Sequence, residues 1–282
     1  MLGSEQLDIF NRPDPMAWLS EGDDPDGLRY YQRDAYEAIL KAWKDHRSVL
    51  AVMATGLGKT VLFAALAKHY KGNVLVLAHR DELVGQAHKK IEEMTGEIVG
   101  IEQGDFYCHS ERIVVASVDT IKQKRRLERL GPERFQLIIC DEAQHYVANT
   151  YIRPLEYFAD AKVLGVTATA DRGDRKAMGR TFDHVAYRRD IMDGIESGYL
   201  VPIVGRRVEI DSIDLTQVKT VAGDLAKGAL DIAMLEAVEG IVRETIRLEP
   251  DRTGIAFFPG VRSAELAAQR FNAIRPGSAC MI

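Results

Sequence analysis

Cysteine is scarce. The 282-residue chain has three, Cys108, Cys140 and Cys280, and none forms a C-x-x-C pair. That excludes a disulfide framework and a zinc ribbon, and it fits a reducing compartment, so a cytoplasmic protein is expected. Long apolar runs are missing too: none approaches the roughly 18 residues of a membrane span, and no membrane partner is expected. The opening residues, MLGSEQLDIF, lack the basic start and long apolar core of a secretory signal. Repeats and low-complexity stretches are absent. There is no excess of positive charge either, since the formal net charge is −5. That is only weak evidence against a nucleic-acid partner, because a local basic stripe can suffice.

The charge is uneven. Residues 1–27 hold seven acids and one base, a balance of −6, which leaves the remainder at +1. Prolines and glycines interrupt those acids, so a loose acidic tail over 1–27 is expected. A sharper alternative is that the tail competes with nucleic acid for a basic groove. The rest has the composition of a soluble globular protein, 46% apolar and 28% charged, and is long enough for one large domain or two ordinary ones.

The chain is organised around VLAVMATGLGKT, residues 49–60. Val49–Val52 reads as a short buried strand. A turn at Gly56-Leu57-Gly58 leads into Lys59-Thr60 and a helical stretch, VLFAALAKHYK, that stops at Gly72. Strand, glycine turn, Lys-Thr and helix make a phosphate-binding loop. Glycines let backbone N–H groups curl around phosphate oxygens, and the helix N-terminus adds a favourable dipole. Lys59 can reach the β- and γ-phosphates, and the Thr60 hydroxyl can ligand Mg²⁺. The full pattern begins with a glycine, and here that position is Met53.

Apolar strands recur along the chain: Asn73–Ala78, Ile113–Val118, Phe135–Cys140 and Lys162–Val166. Helical stretches alternate with them, which means a parallel sheet covered on both faces, with ligands at the carboxyl ends of its strands. Upstream, Ala35, Ile39, Ala42 and Trp43 recur at helical spacing, with Gln32 near the start of that helix. A carboxamide can pair with N6 and N7 of adenine. Gly198 and Pro202 bracket a change of direction that reads as a hinge. Beyond it, strands are expected over 204–211, Thr253–Phe258 and Ala279–Ile282, with helices over Leu225–Leu248 and Ser263–Ile274.

Asp141-Glu142 closes the strand Leu-Ile-Ile-Cys. A carboxylate at a buried strand tip beside a phosphate loop suits Mg²⁺, and the adjacent acid can orient and polarise an attacking water. With these residues in place, the chain resembles the superfamily 2 helicases and translocases of the DEAD/DEAH-box type. ATGLGKT, residues 54–60, resembles motif I, a motif in which this superfamily commonly lacks the first glycine. AHRDEL (78–83) resembles motif Ia, Ser117–Ile121 motif Ib, DEAQ (141–144) motif II and TAT (167–169) motif III. GYLVP (198–202) and FFPGVRSAELAAQRFN (257–272) look like the hinge and motif IV of the group that includes type III restriction-subunit helicases.

The resemblance implies an α/β fold, a RecA-like P-loop NTPase domain followed by an incomplete second one. It implies a tail at 1–27, a first domain at 28–197, a hinge at 198–204 and a partial second domain at 205–282. It implies ATP and Mg²⁺, with the nucleotide held by Gln32, Thr55, Gly56, Leu57, Gly58, Lys59 and Thr60. Thr60 and Asp141 would hold the metal, and Lys59, Asp141, Glu142 and Gln144 would carry the chemistry. Arg80, Ser117 and Thr120 would touch a nucleic-acid backbone, DNA rather than RNA, and Thr167 and Thr169 would couple the nucleotide site to domain movement. The basic run Lys122, Lys124, Arg125 and Arg126 is either a solvated helix face or a set of phosphate contacts. Nothing in the 282 residues resembles motif VI, the motif with the arginines that face the transferring phosphoryl group. A C-terminally truncated member is therefore expected, an ATP-dependent motor core, with a partner chain as one source of the missing half. The alternative is a nucleotide-gated binding module with little turnover.

Overall fold

The computed structural model describes residues 27–79, 81–147, 149–169, 181–210, 220–221, 224–225 and 227–281. Apart from Gly27, the acidic segment lies outside the described residues. The chain divides into two units, Met1–Pro202 and Ile203–Ile282.

The first unit is a seven-stranded sheet. Its strands are β1 (Ser48–Met53), β2 (Val74–Ala78), β3 (Val99–Glu102), β4 (Ile113–Ser117), β5 (Leu137–Asp141), β6 (Lys162–Thr167) and β7 (His184–Arg189). Their spatial order is β3-β4-β2-β5-β6-β1-β7, and every pairing is parallel. Strands β1, β2 and β4 are buried throughout, as near-continuous Val/Ile/Leu runs require when both faces are covered.

Period-two alternation sorts each strand onto two cores. Val49, Ala51 and Met53 face one side, where α1 (Tyr30–Ala42), α2 (Lys59–His69) and α3 (Asp81–Thr95) supply Ile39, Phe63, Leu66 and Ile91. Leu50 and Val52 face the other, against Leu127, Phe135, Leu155 and Phe158. These come from α5 (Lys124–Leu130), which follows the one-turn α4 (Val118–Ile121), from the segment before β5, and from α6 (Asn149–Tyr157) with the turn after it.

Arg112 fastens the far end of α2. Its guanidinium donates to Tyr70 O at 2.6 Å, Ala67 O at 2.9 Å and Gly72 O at 3.1 Å, and it pairs with Glu97. A cation on the last carbonyls of a helix satisfies them and opposes the dipole.

The two sheet edges, β3 and β7, carry no clear strand signal in the sequence. β3 has four residues, and β7, HVAYRR, is half charged or polar and largely exposed. Edge strands are kept short or charged, so they lack the apolar run that marks an interior strand.

In the second unit the helices Lys227–Leu248 and Val261–Ile274 pack through Val238, Val242 and Ala267, with Phe258, Leu266 and Phe271 alongside. Asp231 accepts from Ser263 N at 3.2 Å and Ser263 Oγ at 2.5 Å, joining one helix to the start of the other. The strands expected over 204–211, Thr253–Phe258 and Ala279–Ile282 are not formed among the described residues. A strand exists through its ladder to a neighbour, and no ladder joins these segments. Ile255 is 74% and Phe257 91% exposed. Among the described residues the unit's strands are Thr220–Val221 and Asp224–Leu225, paired antiparallel.

Candidate functional site

Because all seven strands are parallel, the connections that leave their carboxyl ends share one edge of the sheet. The glycine turn follows β1, Asp141-Glu142 closes β5, and Thr167–Thr169 follows β6, which lies between them. The segments leaving β2, β4 and β3 form the other half of that edge.

At the glycine turn, Gly56 and Gly58 sit at φ +87° and +78°, a region L side chains rarely adopt. Gly58 is also where Gln32 closes on the loop: a Cβ there would lie 2.4 Å from Gln32 Nε2. The Gln32 carboxamide donates to Leu57 O at 3.0 Å and Gly58 O at 3.3 Å, and its Oε1 accepts from Arg29 N at 3.0 Å. Only this orientation works, since carbonyls need a donor. Gln32 is 3% exposed, so the structure ties it to the loop itself. Thr55 and Gly56 are exposed, Leu57 is buried, and Lys59 and Thr60, at the start of α2, are half-buried.

Leu200 seals the turn from outside. Added Cβ atoms at Gly56 and Gly194 would meet its methyls at 2.9 Å and 2.6 Å. Beside it, Tyr199 meets Tyr31 edge-on at 4.9 Å, with the Arg29 guanidinium 4.8 Å from the Tyr199 ring. This aromatic group, with Tyr30 donating a half-exposed ring, was not singled out in the sequence; the tyrosine pair just before Gln32 was the available signal.

At β5, burial first and then the charge of Glu142 push the Asp141 carboxyl up to about 6, while the Glu142 N–H and the Lys59 ammonium act the other way. Glu142 has φ +51°, uncommon for a residue with a side chain and a form of strain that gathers at functional sites. Its amide donates to Asp141 Oδ1 at 3.0 Å. Its Oε2 accepts from Gln144 Nε2 at 3.0 Å, and Gln144 Oε1 accepts from the Thr167 hydroxyl at 2.6 Å. Thr167 Oγ1 in turn accepts from Thr169 N at 3.2 Å. A hydrogen-bonded line thus runs from the acidic pair to the segment beyond β6. His145, exposed, stacks on His79 with ring centroids 4.3 Å apart.

A desolvated carboxylate within reach of a lysine's charge suits a hard, oxygen-loving cation. Mg²⁺ takes one or two protein ligands and completes its shell with water and substrate phosphate. Among the described residues no group of three or more His, Cys, Asp or Glu could hold a metal unaided. Asp141 and Thr60 fit Mg²⁺ on these terms.

On the other half of the edge, Ser117 and Thr120 are buried, 2% and 7% exposed. Thr120 Oγ1 accepts from Gly104 N at 3.1 Å, which leaves its own proton uncommitted to that bond. Arg80 lies outside the described residues. Arg126 is neither a solvated residue nor a free phosphate contact. It is 7% exposed and donates to Glu102 Oε1 at 2.7 Å. Glu102 is fully buried and also takes Arg129 and the Cys108 N–H. Burial alone would raise its carboxyl; Arg126, Cys108 and Arg129 outweigh that and hold it below the ordinary range. Lys122 pairs with Asp119 at 2.5 Å and Lys124 with Glu128 at 3.5 Å, while Arg125 is exposed.

Residues 26–172 match the family described as type III restriction enzyme, res subunit. The chain belongs to this family. IRC3 of Saccharomyces cerevisiae, provisionally named an ATP-dependent helicase, is 35% identical over 227 residues, 73% of this chain and 32% of that protein. A protein of Sulfurisphaera tokodaii named DNA 3′-5′ translocase XPB2 is 31% identical over 149 residues, 53% of this chain and 32% of its own length. Among solved structures, a fragment of a provisionally named HsdR subunit of a type I restriction enzyme from Vibrio vulnificus has TM-score 0.62 at 22% identity, over 87% of this chain and 45% of that one. That likeness shows the fold: the first unit of this res-subunit family member is RecA-like. The part of the chain that matches this family, residues 26–172, holds the glycine turn, Asp141-Glu142 and Thr167–Thr169. The chain spans about a third of the length of the curated relatives it matches. No helix among the described residues is long and apolar enough to cross a membrane.

Proposed function

We propose that the chain is the core of an ATP-dependent DNA translocase or helicase. The observation that carries this is the convergence of the glycine turn, Asp141-Glu142 and Thr167–Thr169 on the ends of three neighbouring strands, β1, β6 and β5. Backbone N–H groups of residues 55–60 and the Lys59 ammonium bind the phosphates of ATP. Thr60 and Asp141 would hold Mg²⁺, which when bound neutralises phosphate charge. Glu142, oriented by Gln144, polarises the attacking water. Adenine readout by Gln32 requires it to trade its bonds to Leu57 and Gly58 for N6 and N7 of the base. Thr167 and Thr169 transmit the state of the acidic pair to the next domain.

The hinge is 198–204, and 205–282 is part of a second RecA-like domain, completed by further sequence or a partner chain. An arginine finger is worth roughly 10³–10⁵ in rate, so full turnover requires the arginine motif of a complete second domain. Arg80, Ser117 and Thr120 contact the sugar-phosphate backbone of the nucleic acid, which positions a strand without reading its sequence; for Ser117 and Thr120, buried as they stand, this requires their segment to open. DNA is favoured by the resemblance of GYLVP and the motif IV region to DNA translocases and by the relative named for DNA translocation. Its three described cysteines are all free thiols, in keeping with the cytoplasm.

The test is competition between labelled single-stranded DNA, duplex DNA and RNA of one sequence across a salt series. Binding that weakens with salt and prefers DNA is expected. Equal or tighter binding of RNA removes the DNA assignment, and binding to none of the three removes the nucleic-acid reading.

A further inference from the structure

The connection from β3 to β4 carries two adjacent exposed aromatics, Phe106 at 69% and Tyr107 at 44%. A single exposed apolar ring needs no explanation. These two differ because the backbone beneath them is clamped. Gln103 and Phe106 exchange both backbone hydrogen bonds, at 3.2 Å and 2.8 Å, around Gly104 at φ +51°. Gly104 N–H donates to Thr120 of α4, and Arg126 of α5 donates to Gly104 O and, at 3.1 Å, to Phe106 O. Arg126 is fixed in turn by buried Glu102. Its guanidinium lies 3.6 Å from the Tyr107 ring centroid, and that of Arg129 lies 5.2 Å away.

A rigid turn is therefore spending three elements to hold two rings in water. Its place in the sheet says what for. β3 is the neighbour of β4, and β4 of β2, so the turn extends by one strand, about 5 Å, the row of carboxyl ends assigned above to a nucleic-acid backbone. The turn touches that row directly through Thr120. Local charge is not strongly basic: Glu102 offsets one arginine, and exposed Asp105 another. What the turn offers is flat aromatic surface with stacked guanidinium, the chemistry that receives unpaired bases.

We propose that Phe106 and Tyr107 form a stacking platform for a base of single-stranded nucleic acid leaving the β4 and β2 contacts. This rests on the nucleic-acid reading and adds a contact of a different kind, one insensitive to salt. Stacking is sequence-tolerant, so the platform favours a single strand over a duplex without choosing a base.

The experiment uses the full chain and a labelled single-stranded oligothymidylate, with melting temperature as the check on folding. Phe106→Ala weakens binding about 5- to 100-fold, by the same factor at low and moderate salt. Phe106→Trp retains affinity, and its added indole fluorescence is quenched by the oligonucleotide. Two results overturn the platform while leaving the nucleic-acid reading in place: unchanged affinity of Phe106→Ala, or full affinity of Phe106→Leu, which would mark a merely apolar contact without stacking. Absence of binding by the unaltered chain overturns the underlying reading, and the platform with it.

Discussion

The Thr167 hydroxyl donates to Gln144 Oε1 across 2.6 Å, and the same proton has a second acceptor 2.8 Å away, the Thr169 carbonyl. One proton cannot serve both fully. Gln144 holds Glu142 on its other side, so a shift of the proton between the two acceptors changes how firmly the acidic pair is held. The acidic pair and the chain beyond β6 thus share one hydroxyl.

Thr167→Val removes that hydroxyl and keeps nearly the same volume in a fully buried position. It leaves Gln144 Oε1 and Thr169 N without their partner. A loss of about 1–3 kcal/mol in urea unfolding is expected, with Thr167→Ser close to the unaltered chain. A loss in both variants alike would place the effect in packing.

Asp141 should reveal a conflict between binding and stability. Its carboxyl, pushed up to about 6 by burial, is easier to keep neutral folded than unfolded. A raised carboxyl stabilises the fold at low pH, and that contribution is lost as pH rises through about 6. Asp141→Asn should therefore stabilise the nucleotide-free chain at pH 7.5, by about 1–3 kcal/mol, and bring little gain near pH 4. Urea midpoints at the two pH values decide it.

Glu102 has the opposite sign. Held below the ordinary carboxylate range, it contributes stability above its unfolded value that is lost only as pH falls through the depressed folded one. The clamp on the β3–β4 turn should survive at pH 5. Glu102→Gln leaves Arg126 buried without its charge partner, and a loss of about 3–5 kcal/mol is expected. Hydrogen exchange at Gly104 and Phe106 should rise in that variant at pH 7.

Arg112→Ala strips the last carbonyls of α2 of their donor. A loss of about 1–3 kcal/mol is expected, read by thermal unfolding. Arg112→Lys recovers only part of it, because one ammonium cannot reach four carbonyls and Glu97 together.

The interior strands and the nucleotide motifs were legible because burial on both faces writes a continuous apolar run, and phosphate binding writes a glycine turn before Lys-Thr. β3 and β7 were not, since an edge strand carries little apolar signal. For Lys122, Lys124, Arg125 and Arg126 the sequence leaves a solvated face or phosphate contacts open; Arg126 is neither, because its partner, Glu102, lies more than twenty residues upstream. Order alone puts Gln32 upstream of the loop and suggests adenine readout, while its bonds to Leu57 and Gly58 depend on a backbone approach no spacing encodes. The second unit shows the reverse error: alternation over 204–211 and the apolar run Thr253–Phe258 read as strands, and among the described residues no ladder pairs them.

The central claim is that Lys59 and the glycine turn bind the phosphates of ATP. Titration of a fluorescent ATP analogue with Mg²⁺ into the unaltered chain and into Lys59→Ala tests it most directly, with circular dichroism on both. Saturable binding by the unaltered chain, abolished in a fully folded Lys59→Ala, is the predicted result. Equal affinity in the folded variant, or no binding by the unaltered chain, would contradict it.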